Sequence, residues 1–456
     1  MQYHPHTARA GYQMSHWVSA AELADGRVFL LGGLATDCTV RLDGHSLVGT
    51  SQGGQIAWFT ASGDANAVFN GYAKSFLGAI GAPPVSTSNP IRVWCSWYSR
   101  YTRISQALLR QDLAGLASTP FDIFQIDDGW QQDIGDWVEN SRFPAGLADL
   151  ARAVHQTGRR AGLWLAPLIA TDSSSLFRQN PNWFVRDETG KHVSAGFNWG
   201  HPLYALDLTH PQAIQWLANT LARIESLGFS YLKLDFLYAG ALPGVRHLNL
   251  PGEQAYRQGL RQALSALSPS TFILFCGAPL LASVGLCHAM RIGPDVAASW
   301  QSLRDAELLC NPATPGVRNA IRTSANRLWQ ASFYRLDPDV AYFASASHQL
   351  SPNQASTLRD LCAATRVLAT SDLPHILSPA EKDSLNAFLI NGSEEQAWDP
   401  AEPPPFAITG HADTSLDLPA RPGLVNRSLR ALLAPLAELP ATHRALKWVG
   451  DLQNTQ

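Results

Sequence analysis

Short apolar runs alternate with helical stretches along most of the chain. Eight of them read as strands: IRVWCSWY (91–98), FDIFQIDD (121–128), AGLWLAP (161–167), YLKLDFL (231–237), FILFCGAP (272–279), AMRIGPD (289–295), SFYRLD (332–337) and RVLATSD (366–372). A brief apolar run bounded by turn residues suits a strand buried on both faces. Strands that alternate with helices imply right-handed βαβ units, and eight such units predict a closed (β/α)8 TIM barrel, an α/β fold. The intervening text supports helices, as in HPQAIQWLANTLARIESLG, where Pro211 stands near the start and Gly228 just past the end. A ninth run, LYALDLT (203–209), would make one strand too many, so it is expected in a long loop after the third barrel strand.

The flanks read differently. From Val28 to about Ala79 short strand-like runs are punctuated by Asp43-Gly44 and Gly53-Gly54, which predicts a small N-terminal β domain. Within it VFLLGGLA (28–35) is far short of the roughly 20 apolar residues needed to cross a bilayer, and it reads as a buried strand. The stretch GAPPVSTSNP (81–90) reads as a linker. After Leu373 the text turns to Pro-rich loops with runs such as NAFLI and RALKWV, which predicts a small C-terminal β-rich domain. The expected division is therefore 1–86, 87–373 and 374–456, with no internal repeat.

Length and composition agree with this division. A chain of 456 residues exceeds one ordinary domain and suits a barrel of about 250 residues with smaller modules beside it. Hydrophobic residues at 46% and charged residues at 16% fill a large core. A net charge of −3 and a pI near 6.5 supply no field to gather nucleic acid or an anionic membrane. The expected partner is a small neutral molecule, and a homo-oligomer is left open. The 14 Trp and 11 Tyr fit a sugar, which stacks its C–H faces on aromatic rings, although most such rings fill cores. Six scattered cysteines suggest neither a zinc site nor a disulfide framework. The start, MQYHPHTARA, lacks the pattern of a signal peptide, so a cytoplasmic location is expected.

In such a barrel the chemistry sits at the carboxyl ends of the strands. Polar residues collect there: Asp127 and Asp128 end the second run, Trp164 lies in the third, and Lys233 and Asp235 end the fourth. Cys276 ends the fifth, and Arg291 and Asp295 end the sixth. Lys233 and Asp235, two apart on a strand, project to one side, where the ammonium is expected to keep the carboxylate ionised as a nucleophile requires. A structural ion pair at the barrel rim would show the same spacing. Converging carboxylates also suit a divalent cation, but none of the eight runs ends in the histidine that barrel metallohydrolases use, so no metal and no cofactor is expected. Two carboxyls across a scissile glycosidic bond, about 5 to 5.5 Å apart in retaining enzymes, need no metal.

The stretches WCSWY (94–98), FQIDDGWQQDIGDW (124–137), GLWLAP (162–167), YALDLTHP (204–211), YLKLDFLYAGALPGVR (231–246), CGAPLLASVG (276–285), MRIGPD (290–295) and LDPD (336–339) resemble the bacterial α-galactosidases of glycoside hydrolase family 36. They run in the family's order along the barrel. The resemblance implies a retaining exo-α-galactosidase with Asp235 as nucleophile and Asp295 as acid/base. It places Asp127 and Asp128 on the galactose O4 and O6 hydroxyls and Trp164 as an aromatic wall. Lys233 becomes a donor to ring hydroxyls, Cys276 a neighbour of O2 and O3, Arg291 a donor near O2, and Trp97 a further pocket aromatic. Such a pocket selects the axial O4, because an equatorial hydroxyl would leave the paired carboxylates unmet. Members often carry a larger N-terminal β-sandwich than the 86 residues here, which leaves that domain's contribution open and makes Trp58 a candidate for the pocket or the core. A galactosyl transferase of the raffinose-synthase kind and a non-catalytic galactoside-binding protein are the competing functions. The second has no need for both Asp235 and Asp295.

Overall fold

The structure, a computed structural model, describes residues 13–43, 46–52, 54–85, 90–300 and 315–392. Each of the eight expected runs contributes one strand: β1 (Ile91–Cys95), β2 (Ile123–Ile126), β3 (Arg160–Leu165), β4 (Phe229–Leu234), β5 (Phe272–Phe275), β6 (Ala289–Arg291), β7 (Arg335–Asp337) and β8 (Val367–Thr370). They form one sheet in the order β7-β6-β5-β4-β3-β2-β1-β8, every neighbour parallel. Across the β7–β8 seam Ala341 N donates to Ala369 O at 2.8 Å. This is the predicted (β/α)8 barrel.

Period-2 alternation decides what faces the axis. On β4, Tyr231, Lys233 and then Asp235 just past the strand share one face. Gly162 on β3 leaves room for the lowest of these, since a Cβ there would meet the Tyr231 ring at 2.9 Å. The run LYALDLT lies outside the barrel as expected, but it is a strand. His201–Ala205 pairs antiparallel with Ile169–Thr171 and Ser194–Asn198 in a small sheet above the mouth.

The N-terminal region holds two three-stranded sheets, Val18–Glu22 with Val28–Gly33 and Trp58–Gly63, and Gln13–His16 with Cys38–Asp43 and Ser46–Ser51. Two expectations need correction. The stretch before the linker is not a strand but helix α1 (Ala65–Ile80). Its start is capped by the Asp64 carboxylate, which accepts from Asn66 N and Ala67 N, and Gly81 closes its end at φ 67°. Val68, Tyr72 and Phe76 are buried at helical spacing, and the Tyr72 hydroxyl donates to Gly33 O at 2.9 Å. NAFLI is likewise helical, inside Pro379–Asn391, whose first turn carries a Ser378–Glu381 capping box. RALKWV and the boundary at residue 86 lie outside the described residues. Trp58 is a packing residue of the N-terminal sheets, its ring covering Gly49, where a Cβ would stand 2.5 Å away.

Two helices flank the strand that carries Lys233: α2 (Pro211–Ser226) precedes β4, and α3 (Gly252–Leu264) follows it. No described helix is long and apolar enough to cross a membrane.

Candidate active site

On one side of the mouth, β2 and β4 bring Asp127 and Lys233 together in the interior. Lys233 Nζ donates to Asp127 Oδ2 at 3.0 Å, and the same oxygen receives Gln125 Nε2 at 2.6 Å and the Cys95 thiol at 3.4 Å. Asp127 Oδ1 accepts Asp128 N at 3.0 Å. Burial is the largest single influence and opposes the Lys233 charge, but Asp127 together with Cys95 and Cys276 more than offsets it and holds the ammonium well above its usual pKa. This corrects the expectation that Lys233 serves Asp235: the side chains share a face, but the ion pair goes to Asp127. Asp128, also buried, accepts from Gln131 Nε2 at 2.6 Å and from the Trp199 indole at 2.8 Å. Burial raises its pKa, the two donors work against the rise, and Asp127 and Asp235 add to it.

Asp235 stands where β4 ends. Its Oδ2 accepts the Trp164 indole N–H at 3.1 Å and its Oδ1 accepts Phe236 N at 2.7 Å, so two neutral donors hold the carboxylate that was expected to lean on lysine. Phe236 adopts φ 55°, and Gly277 at φ 55° passes so close that a Cβ there would lie 3.3 Å from Asp235 Oδ1. Trp164, Trp199 and Phe236 form an aromatic wall, with ring centroids 6.3 Å apart for the first pair and 5.3 Å for the second. The Cys276 thiol is buried, and burial and the nearby Asp235 push its pKa far up, which keeps it neutral.

The third group is centred on Arg291 of β6. Its guanidinium meets Asp295 at 3.3 Å, Asp337 at 3.0 Å and Asp339 at 3.0 Å. Asp295 keeps 44% of its side chain open to the mouth. Even so, the walls around it raise its pKa: desolvation dominates, Asp235 and Asp127 add to it, and Arg291 and Lys233 oppose it. Trp97, in the short helix Trp97–Arg100 after β1, sets its ring edge-on to Tyr101 at 5.1 Å and is half-buried.

The nine expected residues thus line one barrel mouth, Trp97 with its ring against Tyr101 and its backbone N–H on the Cys95 thiol. Sequence reasoning assigned no role to Gln131, Tyr98, Trp199, Asp337 or Asp339. Asp337 ends its strand as the other carboxylates end theirs, and Tyr98 and Asp339 stand in the WCSWY and LDPD stretches, so a signal existed for these three. Trp199 had none, because it reaches Asp128 from the turn of the hairpin above the mouth.

A (β/α)8 barrel whose strand ends carry two carboxyls in contrasting surroundings, an aromatic wall and a cluster of buried hydrogen-bonding side chains matches the class of barrel glycoside hydrolases. The Melibiase family model matches residues 85–261. The structure of the α-galactosidase TtGalA from Thermus thermophilus in complex with p-nitrophenyl α-D-galactopyranoside is 43% identical, with a TM-score of 0.79 over 84% of this chain and 78% of that one. The chain belongs to the α-galactosidases of glycoside hydrolase family 36. The family 36 α-galactosidase AgaA from Geobacillus stearothermophilus shares the fold at 15% identity, with a TM-score of 0.60 over 84% of this chain and 57% of that one. Alpha-galactosidase 1 of Pediococcus pentosaceus is 28% identical over 200 residues, 40% of this chain, so the match spans about a quarter (26%) of that relative's length.

Proposed function

We propose that this protein is a retaining exo-α-galactosidase that hydrolyses terminal α-D-galactosides of the melibiose and raffinose type. The observation that carries the reading is the contrast between two carboxyls: Asp235 stands at the end of β4 and accepts hydrogen bonds from the Trp164 indole and Phe236 N, whereas Asp295 stands across the mouth beside Arg291, where burial raises its pKa and favours its protonated form. Asp235 attacks the anomeric carbon while Asp295 protonates the leaving oxygen. Asp295 then takes a proton from the water that breaks the galactosyl-aspartate ester. Asp128 and Asp127 receive the sugar's O4 and O6 hydroxyls, and Arg291 and Cys276 lie toward O2 and O3. The complexes of TtGalA with p-nitrophenyl α-galactopyranoside and with stachyose support a galactoside as the ligand. No metal or cofactor takes part, since an ammonium and a guanidinium already engage the carboxylates of Asp127, Asp337 and Asp339. The five described cysteines are free, which fits a reducing compartment such as the cytoplasm.

Azide separates the two roles. Asp235→Gly opens a hole on the β face, so azide displaces an activated α-galactosyl leaving group once and the product is β-galactosyl azide. Asp295→Ala still forms the ester from such a substrate and then stalls without its base. Azide needs no base, so it attacks the ester and gives the α anomer. Exchange of the two anomers would exchange the roles, and rescue of neither variant would remove the reading. Product analysis with raffinose decides between water and sugar as acceptor: released galactose means hydrolysis, and growing oligosaccharides mean a transferase.

A further inference from the structure

Asp295 faces the mouth, where its carboxyl takes a hydrogen bond from Arg291 at 3.3 Å, a long contact for a charged pair. A general acid must stand within a few tenths of an ångström of its target, so its backbone has to be fixed as well. The next residue provides this. Val296 N donates at 3.0 Å to Asp339 Oδ2 and at 3.2 Å to the Tyr98 hydroxyl oxygen, while the Tyr98 hydroxyl donates to that same Asp339 oxygen. Asp339 is buried, and its other oxygen meets Arg291 Nη2 at 3.0 Å. Its backbone stands at φ 87°, held by a bond from its own N–H to Asp337 Oδ1 at 2.9 Å. A non-glycine residue in that region is strained, and a fold keeps such strain where the surrounding bonds over-determine the position.

We propose that Asp339 and Tyr98 form a positioning pair for the acid/base: together they anchor the peptide that follows Asp295, and through Arg291 Asp339 also acts on the Asp295 carboxyl itself. The inference rests on the reading of Asp295 as acid/base. Neither residue touches the reacting atoms. The titratable and charged groups around Asp339 are Cys95 on β1, Tyr98 and Tyr101 after it, Arg291 and Asp295 from β6 and its loop, Asp337 on β7, Tyr342 beyond it, and Cys362, whose thiol donates to the Asp339 carbonyl at 3.7 Å. Burial first, and then Asp295 and Asp337, raise the Asp339 pKa to about 7 against the pull of Arg291 and Tyr98. Asp295 and Asp339 thus oppose each other's ionisation. Loss of the Asp339 charge lets Asp295 ionise more easily, and an acid that ionises more easily is lost at lower pH.

The test compares raffinose, whose leaving group needs protonation, with p-nitrophenyl α-galactoside, whose leaving group does not. In Tyr98→Phe and Asp339→Asn the ratio of kcat/KM for raffinose to that for the activated substrate should fall at least about tenfold, as expected when general acid catalysis is impaired. In Asp339→Asn the alkaline limb of the kcat/KM profile for raffinose should also move about half a pH unit to the acid side. If both substrates slow equally and the limb stays in place, the pair is merely structural and the proposal is wrong. Should Asp339→Asn fail to fold, Tyr98→Phe, which keeps the ring, decides through the ratio alone. Asp295→Ala is run alongside: if it affects both substrates alike, the acid/base reading fails and the proposal falls with it, whereas a leaving-group effect there with none in the pair's variants refutes only the pair.

Discussion

Among individual residues, Lys233 shows how a side chain's neighbour in space outranks its neighbour in sequence. Its ammonium and the Asp127 carboxylate are both buried and 3.0 Å apart. Removal of one partner from such a pair strands a charge and costs about 3 to 5 kcal/mol, more than the intact pair contributes. Lys233→Met should therefore destabilise strongly, and Asp127→Asn added to it should restore part of the loss. Denaturant unfolding of the two single variants and the double variant checks this. Simple additivity would mean that the two charges are not coupled. Tyr98 and Asp339 belong to the same scale, because one hydroxyl and one carboxylate oxygen there share a single peptide N–H.

At the scale of elements, the barrel holds the site through close approaches. Helix α3 packs on the segment after the LYALDLT strand at Gly259, where a Cβ would meet Leu208 O at 2.0 Å and Leu208 Cβ at 2.7 Å. In an exposed helix a Gly→Ala change would stabilise by about 1 kcal/mol through propensity. Here the contact is with backbone, which cannot swing aside, so overpacking at about 1 to 3 kcal/mol or more decides the sign. Gly259→Ala should lower the unfolding midpoint, and a rise would show that α3 can shift outward at little cost. The hairpin that carries Trp199 belongs to this scale too. A run of sequence that could not be a barrel stave became a strand above the mouth, and its turn delivers an indole to Asp128.

Across the whole molecule, the N-terminal sheets are joined to the barrel by a reciprocal latch. Asp37 accepts Glu253 N and Gln254 N at 2.9 and 3.0 Å, which caps the start of α3. Glu253 Oε2 in return accepts Asp37 N at 2.6 Å and the Trp17 indole at 2.8 Å, and His16 Nδ1 lies 3.9 Å from Oε1. Burial raises the Glu253 pKa to about 7, against the two donors that lower it, and Asp37 adds to the rise. The folded state therefore keeps a proton that the unfolded chain gives up near its ordinary value of 4.5. Where the native state binds more protons, stability falls as pH rises, so this group should remove up to about 3 kcal/mol between pH 4.5 and 7. Glu253→Gln keeps the acceptor and should flatten that part of the stability profile, with a net gain at pH 8. An unchanged slope would show that the latch carboxylate titrates normally.

The sequence by itself determined the barrel, its eight staves and the carboxylates at their ends, because strand period and strand-end placement are local properties that survive without knowledge of packing. It also carried the family through ordered motifs at the strand ends. Helix α1 was legible in principle from Asp64, Gly81 and the spacing of Val68, Tyr72 and Phe76, but its apolar residues also suited short strands. Tertiary structure alone decided which cation meets which carboxylate. Lys233 and Asp235 share a face, yet Asp127 arrives from β2 and takes the ammonium, while Trp164 from β3 takes over Asp235. It also placed Trp199 on Asp128 and gathered Tyr98, Arg291 and Asp339 beside Asp295. These pairings join residues tens to hundreds of positions apart, and no periodicity along a chain encodes which of several nearby partners will win; closure of the barrel does.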